Sequence, residues 1–266
     1  KEKFLDSHIP FNDFVTGNRF IDAAAATNAT FCKTDFLARY TNNHEEVFIT
    51  HNSDFPITDQ MFEHGPSHKY WFAQNKECTS ESVTPIPIGL ENMKLRTSKA
   101  SNYGEFSSEV PSAFQKAEKI EKLSSFQLDK SGLMYMNFSI HTFPQERQNV
   151  WDTFSGHDWV TKTVGLPLDH FYFDLASHKF AISPRGNGLD CHRTWEALYL
   201  KTIPIVERHS GLAYFEDLPI YFIDDWSEVT EDSLNSFYEI MLNTEYDLGK
   251  MRMSWWQNKI NNLMRK

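Results

Sequence analysis

The sequence predicts an α/β protein made of two parallel-sheet units that face each other across a cleft. Three observations carry this. Short apolar runs alternate with helical patterns, and each run ends in a polar loop, as in parallel sheets that bind ligands at the carboxyl ends of their strands. The pattern halts at the polar, serine-containing stretch Leu95–Glu109 and then restarts. The chain has 266 residues, 40% hydrophobic and 15% aromatic, enough for two domains of about 100–150 residues each.

In the first half, Ile21–Tyr40 contains a helix near Lys33–Tyr40. Val47–Thr50 reads as a strand ending in His51-Asn52-Ser53-Asp54. Thr58–His64 forms one or two helical turns, and Lys69–Ala73 is a strand ending at Gln74-Asn75. Val83–Ile88 is a third strand, ending in Gly89-Leu90-Glu91-Asn92, and its prolines suit an edge or a strand end. After the polar connection, Pro111 opens a helix over Ser112–Phe126 with Phe114, Ala117, Ile120 and Leu123 at helical spacing.

The second half repeats the scheme. Gly132–Phe138 is a strand, Gln145–Phe154 a helix, Trp159–Thr163 a strand and Asp169–Ala176 a short helix. His178–Val206 then reads as strand, glycine-bearing loop, amphipathic helix and strand. Ile220–Ile223 is the last strand and Ser227–Leu242 an amphipathic helix. Leu248–Met264 carries an apolar stripe of Met251, Trp255, Trp256, Ile260 and Leu263 on a terminal helix. The expected division is a first α/β unit over residues 1–128, a second over 129–247, and a terminal helix over 248–266 that returns to the first unit.

Composition narrows the function. The 26 Lys and Arg against 36 Asp and Glu give a formal charge of −10, which argues against nucleic-acid binding. A small local cluster of arginines in an acidic chain suits a compact anionic ligand. Cys32, Cys78 and Cys191 are far apart, with no metal spacing and no disulfide framework, so a cytoplasmic setting is expected. A Golgi lumen is the alternative if an anchor preceding Lys1 has been trimmed. No run approaches the roughly 20 apolar residues of a membrane span. The sequons at Asn28 and Asn137 carry little weight.

The loop Ser183–His192 holds most of the chemistry. It brings Ser183, Pro184, Arg185, Gly186, Gly188, Asp190, His192 and Arg193 to a helix start, where free N–H groups and the positive dipole end favour a phosphate. Pro184 ends strand pairing, the glycines permit a tight turn and close backbone approach, and Asp190 is expected to cap the helix. Arg193 and Glu196 share one helix face. Trp195 and Leu198 share another, suited to packing under the sheet. A surface Arg–Glu pair on a capped helix accounts equally well for any one of these residues; their combination favours a ligand site. The loop is neither a GxGxxG nor a GxxxxGK[ST] motif, which removes the fingerprints of dehydrogenases and P-loop enzymes.

The segment PRGNGLDCHRTWEALYLKTIPIV resembles the donor-site region of exostosin-like glycosyltransferases, in which a P-x-G loop, an Arg and an E-A-L helix precede G-x-I-P-V. Lys201 stands where such sequences usually have Gly, and Ile205 lies within the final strand. HNSDFPI, WFAQN, PIPIGLEN, NFSI with Arg147, and DLPIYFIDDWSEV follow the same order, so the likeness spans Glu46–Val229. It extends to the compact xylosyltransferase-like enzymes of large algal viruses.

The resemblance implies a GT-B architecture and an inverting, metal-independent transfer from a nucleotide sugar, with UDP-xylose favoured, to a glycan hydroxyl. It implies no cofactor. Arg193 and the helix start at Asp190–His192 would meet the diphosphate, and Glu196 the ribose. Asn137, Ser139, Thr142 and Arg147 would close from the other side, with Ser183 and Pro184 near the base. Inversion needs a general base from the first unit. Asp54 is the choice, with His51 and Glu91 behind it, and Asn52, Gln74 and Asn75 as further acceptor contacts. Trp71 and Phe72 serve either the acceptor wall or the core. Asp224-Asp225 reads better as a turn than as a metal motif. The alternatives are a non-catalytic carbohydrate- or nucleotide-binding module and another nucleotide-dependent α/β enzyme.

Overall fold

A computed structural model describes residues 1–96, 106–109 and 111–265. After a short strand β1 (Glu2–Lys3), helix α1 (Gly17–Thr27) leads into the first sheet. The Thr16 side chain caps the start of α1, Ala23–Ala26 favour its interior, and Asn28 in the left-handed region ends it. Strands β2 (Thr30–Lys33), β3 (His44–His51), β4 (Ser67–Ala73) and β5 (Val83–Pro85) lie parallel and in sequential order, with helix α2 (Asp59–Glu63) between β3 and β4. Strands β6 (Lys94–Arg96) and β7 (Phe106–Glu109) pair antiparallel within the expected connection, and helix α3 (Pro111–Ser124) carries the chain onward. The rest of that connection, residues 97–105 and 110, lies outside the described residues.

The second unit runs β8 (Gly132–Met136), α4 (Pro144–Phe154), β9 (Val160–Lys162), α5 (Leu168–Ala176), β10 (His178–Ile182), α6 (His192–Tyr199), β11 (Ile203–Glu207), β12 (Tyr221–Ile223) and α7 (Glu231–Asn243). Its five strands are all parallel, in the order β12-β11-β10-β8-β9. Ile203, Pro204, Ile205 and Val206 of β11 are buried in an unbroken run, the mark of a strand covered on both faces. Strand β13 (Glu245–Tyr246) pairs with β1, and helix α8 (Met253–Met264) packs back on α1 and β3, with Phe20 and Trp256 at 6.0 Å. The two-unit α/β class is therefore as the sequence predicts.

The two sheets differ in one respect that bears on function. In the first, strand order follows sequence order without reversal. In the second, the order turns back between β8 and β10, and ligands of open α/β sheets bind in the crevice at such a switch point. The loops flanking it, Asn137–Thr142 after β8 and Ser183–Cys191 after β10, contain most of the expected donor residues.

Several expected boundaries move for local reasons. The third strand stops at Pro85 and β8 at Met136. The segment Thr34–Tyr40 is a 3-10 helix rather than an α-helix. The expected helix Ser227–Leu242 divides, because Asp225 caps a 3-10 turn Trp226–Glu228 and Thr230 caps α7 separately. The terminal stripe divides likewise into a turn at Leu248–Met251 and α8.

Lys201, the departure from the resembled motif, has φ of 58° just past the end of α6. A side chain in this left-handed region is strained where glycine is not. Lys201→Gly is therefore expected to stabilise the protein by about 1 kcal/mol, measured as a raised urea midpoint at unchanged slope.

Candidate active site at the switch point

Three arginines surround the switch-point crevice, and backbone carbonyls hold all of them. Arg147 on α4 is 3% exposed. Its guanidinium donates to Arg185 O at 2.8 Å, Ser139 O at 2.8 Å and Pro184 O at 3.4 Å, tying the loops after β8 and β10 together. Arg193 on α6 donates to Asn137 O at 3.0 Å. Both lie against the Phe138 ring, at 5.6 and 5.7 Å. Arg185 stacks 4.5 Å from the Phe143 ring and bonds the carbonyls of Gly186 and Asn187.

Among the described residues, no carboxylate is within ion-pairing distance of any of the three. Burial, and then the neighbouring Arg193, lowers the Arg147 pKa to about 10. Two cations held this close repel one another, a repulsion that an anion between them would offset.

The start of α6 is open as well. Its first flanking residue is Cys191, and no side chain caps it. Asp190 is not the cap that its position suggested. Its carboxylate accepts from Trp195 Nε1 at 2.8 Å and from the Ile88 N–H of the first unit at 2.8 Å. The Asp190 N–H donates to Asn75 Oδ1 at 2.9 Å, and His192 Nδ1 bonds Gly89 O at 2.7 Å. Gly188 explains itself here: a Cβ would fall 2.8 Å from Asn75 Nδ2. Neither Gly186 nor Gly188 has a positive φ, so both serve close approach rather than a left-handed turn. Gly186 lies against Arg147 and Thr142.

Across from the helix start, an open cavity, about 790 Å³ with the space at its mouth, is walled by both units, with His51, Asn52, Asp54, Gln74 and His192 in its lining. Asp54 is exposed, and among the described residues no hydrogen bond ties its carboxylate. Other expected acceptor residues are committed to the framework. His51 is buried, accepts from the Asn52 N–H at Nδ1 and donates from Nε2 to Pro87 O. Burial holds its pKa down to about 4, and both ring nitrogens are taken up by the framework. Asn52 Oδ1 accepts from Asn92. The buried amides of Gln74 and Asn75 both donate to Ser53 O. Glu91 pairs with Lys116 on α3 at 2.6 Å. Trp71 and Phe72 are buried in the core. Phe55, which the sequence did not single out, is 58% exposed on the rim of this cavity beside Asp54.

The remaining donor candidates divide between roles. Glu196 is buried on the same side of α6 as Arg193, and its Oε1 accepts from Tyr172 at 2.8 Å. The Ser183 hydroxyl bonds Thr194 at 2.9 Å inside the fold, beside the buried Pro184. The Asn137 amide is engaged with Thr163 at 2.8 Å. Thr142 is exposed at the crevice edge. Asp225 caps its own turn, as a turn reading requires. Among the described residues, no group of three His, Cys, Asp or Glu side chains is placed to hold a metal ion, and no helix is long and apolar enough to cross a membrane.

No protein-family model matches the chain, and no curated protein matches it. The solved structures similar in fold include two of alpha1,3-fucosyltransferases. A crystal structure of alpha1,3-fucosyltransferase with GDP-fucose is 13% identical, with a TM-score of 0.43 over 85% of this chain and 80% of that one. A second alpha1,3-fucosyltransferase structure is 11% identical, with a TM-score of 0.46 over 88% and 75%. Both likenesses are distant in sequence and in superposition.

Asp190 gives the site a measurable signature. Burial pushes its carboxyl up to about 6 against the pull of Ile88 and Trp195, from about 3.9 in an unfolded chain. The folded state holds the proton more tightly, so this contribution to stability is full below about pH 4 and lost as pH rises through about 6. Asp190→Ala strips the acceptor from two buried donors and is expected to cost about 2–5 kcal/mol. Urea titrations across pH 4–7 should show wild type losing stability relative to the variant as pH rises.

Proposed function

We propose that the protein is a glycosyltransferase that moves a sugar from a nucleotide-sugar donor to a hydroxyl of a glycan acceptor. One observation carries the reading: three arginines without carboxylate partners meet an uncapped helix start at the switch point of the second sheet. Opposite them lies a cavity lined by both units. A diphosphate at α6 would replace the repulsion between Arg147 and Arg193 with attraction. As the bond to the sugar breaks, charge develops on the leaving diphosphate, and arginines with a helix dipole stabilise it in place of a metal ion. Glu196 is placed on the Arg193 side, where the ribose of such a donor would hydrogen-bond.

Inversion requires a base on the far side of the sugar. The open carboxylate of Asp54 shares its cavity with His192 of α6, which supports it in that role. Phe55 beside it offers a flat apolar face for the C–H side of an acceptor ring. The motif's likeness to exostosin-like enzymes supports a UDP-sugar, with UDP-xylose the first donor to try.

A thermal-shift panel of UDP, GDP, CMP and their sugars in EDTA tests the reading. At least one is expected to stabilise the protein, and a flat response to all of them sinks it. Arg193→Ala should weaken nucleoside diphosphate binding by about 1.5–3 kcal/mol, roughly 10- to 100-fold. Asp54→Asn should lower turnover by about 10²–10⁴-fold at unchanged donor affinity, and unaltered turnover removes Asp54 as base. Phe55→Ala should raise the acceptor KM roughly 2- to 10-fold and leave donor titrations as they were.

A further inference from the structure

A second pocket, about 560 Å³ with the open space at its mouth, lies beside the first turn of α6 on the β11 side. Its wall includes Glu146 on α4, Ser183 and Arg185 after β10, Thr194 on α6, and Glu207 and His209 at the end of β11. Among the described residues, three buried side-chain polar atoms have no hydrogen-bond partner, and two belong to this wall: Glu146 Oε1 and His209 Nε2. Native folds rarely leave such atoms unpaired unless something else supplies the partner.

The two atoms are complementary. The Arg185 backbone N–H holds the Glu146 carboxylate and leaves Oε1 as a free acceptor. The Gly211 N–H donates to His209 Nδ1 at 3.2 Å, so the ring proton sits on Nε2, where no well-formed bond is made although the ring also meets the Leu189 backbone. Burial, and then Arg185, keeps His209 neutral by holding its pKa down to about 4. A hydroxyl both donates and accepts, so a ring bearing neighbouring hydroxyls satisfies both atoms at once.

Position and charge narrow the ligand further. Arg193 and Glu196 face the β8 side of α6, toward Asn137 O and the Tyr172 hydroxyl. A nucleoside on that side leaves the β11 side of the same helix start to whatever hangs from the far phosphate. The wall carries two carboxylates, and Glu207 is close enough to Glu146 to raise its pKa after burial has done so. Of the two arginines in the wall, Arg208 pairs with Glu216 and Asp224, and Arg185 is the one assigned to the diphosphate above.

We propose that this cavity holds the transferred sugar ring of the donor. Glu146 accepts one ring hydroxyl proton, His209 Nε2 donates to a ring oxygen, and the paired carboxylates select an uncharged sugar over a uronate. The two atoms are shielded from water, so both side chains must turn toward the cavity when the sugar enters. The proposal rests on the donor-site reading above and assigns a residue-level specificity to it.

Calorimetric titration of wild type and Glu146→Gln with UDP, UDP-xylose and UDP-glucuronate separates the two. GDP and GDP-mannose replace the first pair if the nucleotide panel selects guanine. Glu146→Gln should bind UDP like wild type but UDP-xylose about tenfold more weakly. Wild type should bind UDP-glucuronate about tenfold more weakly than UDP-xylose. Equal losses for UDP and UDP-xylose, or no loss for either, overturn the sugar subsite while the donor site stands. Preference for the uronate overturns the charge selection. If no nucleotide binds wild type, the donor site fails and the subsite fails with it. Because UDP affinity is read in the same variant, a misfolded protein is recognised as such.

Discussion

The buried carboxylate of Asp190 is the constraint around which the rest of the site is arranged. It joins a loop of the first unit, through Ile88, to the indole of Trp195 inside the second, while its own N–H goes to Asn75. An ionised carboxylate out of water survives only when its donors are fixed. Fixing them sets the loop after β10 against the loops after β4 and β5, and so aims the start of α6 into the cavity the units share. Gly188 and His192 complete that junction from either side. The loop after β10 is thus also the seam between the units, and the cleft cannot open widely without disturbing it.

The second organising element is a deliberate imbalance of charge. The chain has ten more acidic than basic side chains by formal count, yet among the described residues Arg147, Arg185 and Arg193 have no carboxylate partner and are held mainly by carbonyls and aromatic faces. Carbonyls orient a guanidinium without neutralising it. The crevice therefore keeps a concentrated positive potential inside a negative molecule, which draws compact anions and repels the protein's own acidic surface.

Much of the fold was legible because strand and helix periodicities, Pro and Gly are local signals. Strand ends, the repeat of the α/β scheme and the return of the terminal helix all follow from them. The candidate site was legible where its geometry is also local: Arg193 and Glu196 stand three apart on one helix face whatever surrounds them. It failed where a side chain's partner is distant in sequence. Asp190 sits at a capping distance from a helix, and nothing near it reveals Ile88 or the indole. Polar residues at strand ends, such as Gln74 and Asn75, read equally as ligand contacts or as braces for a neighbouring loop. Phe55 was passed over because an isolated aromatic ordinarily reads as core. Glu146 and His209 come from elements 60 residues apart in rough terms, joined only by the sheet's reversed strand order. Lys201 is the opposite case: the motif's usual glycine at that position anticipated a backbone angle.

Cys191 has a further consequence. Cys32 and Cys78 are sealed in the core of the first unit, and Cys191 alone of the three is partly exposed, at the open start of α6 with its sulfur 4.0 Å from Arg193 Nη1. That sulfur also rests against the buried hydroxyls of Ser183 and Thr194 at 3.2 and 3.6 Å, so any enlargement of the thiol would strain the loop after β10 and the helix start that orients Arg193.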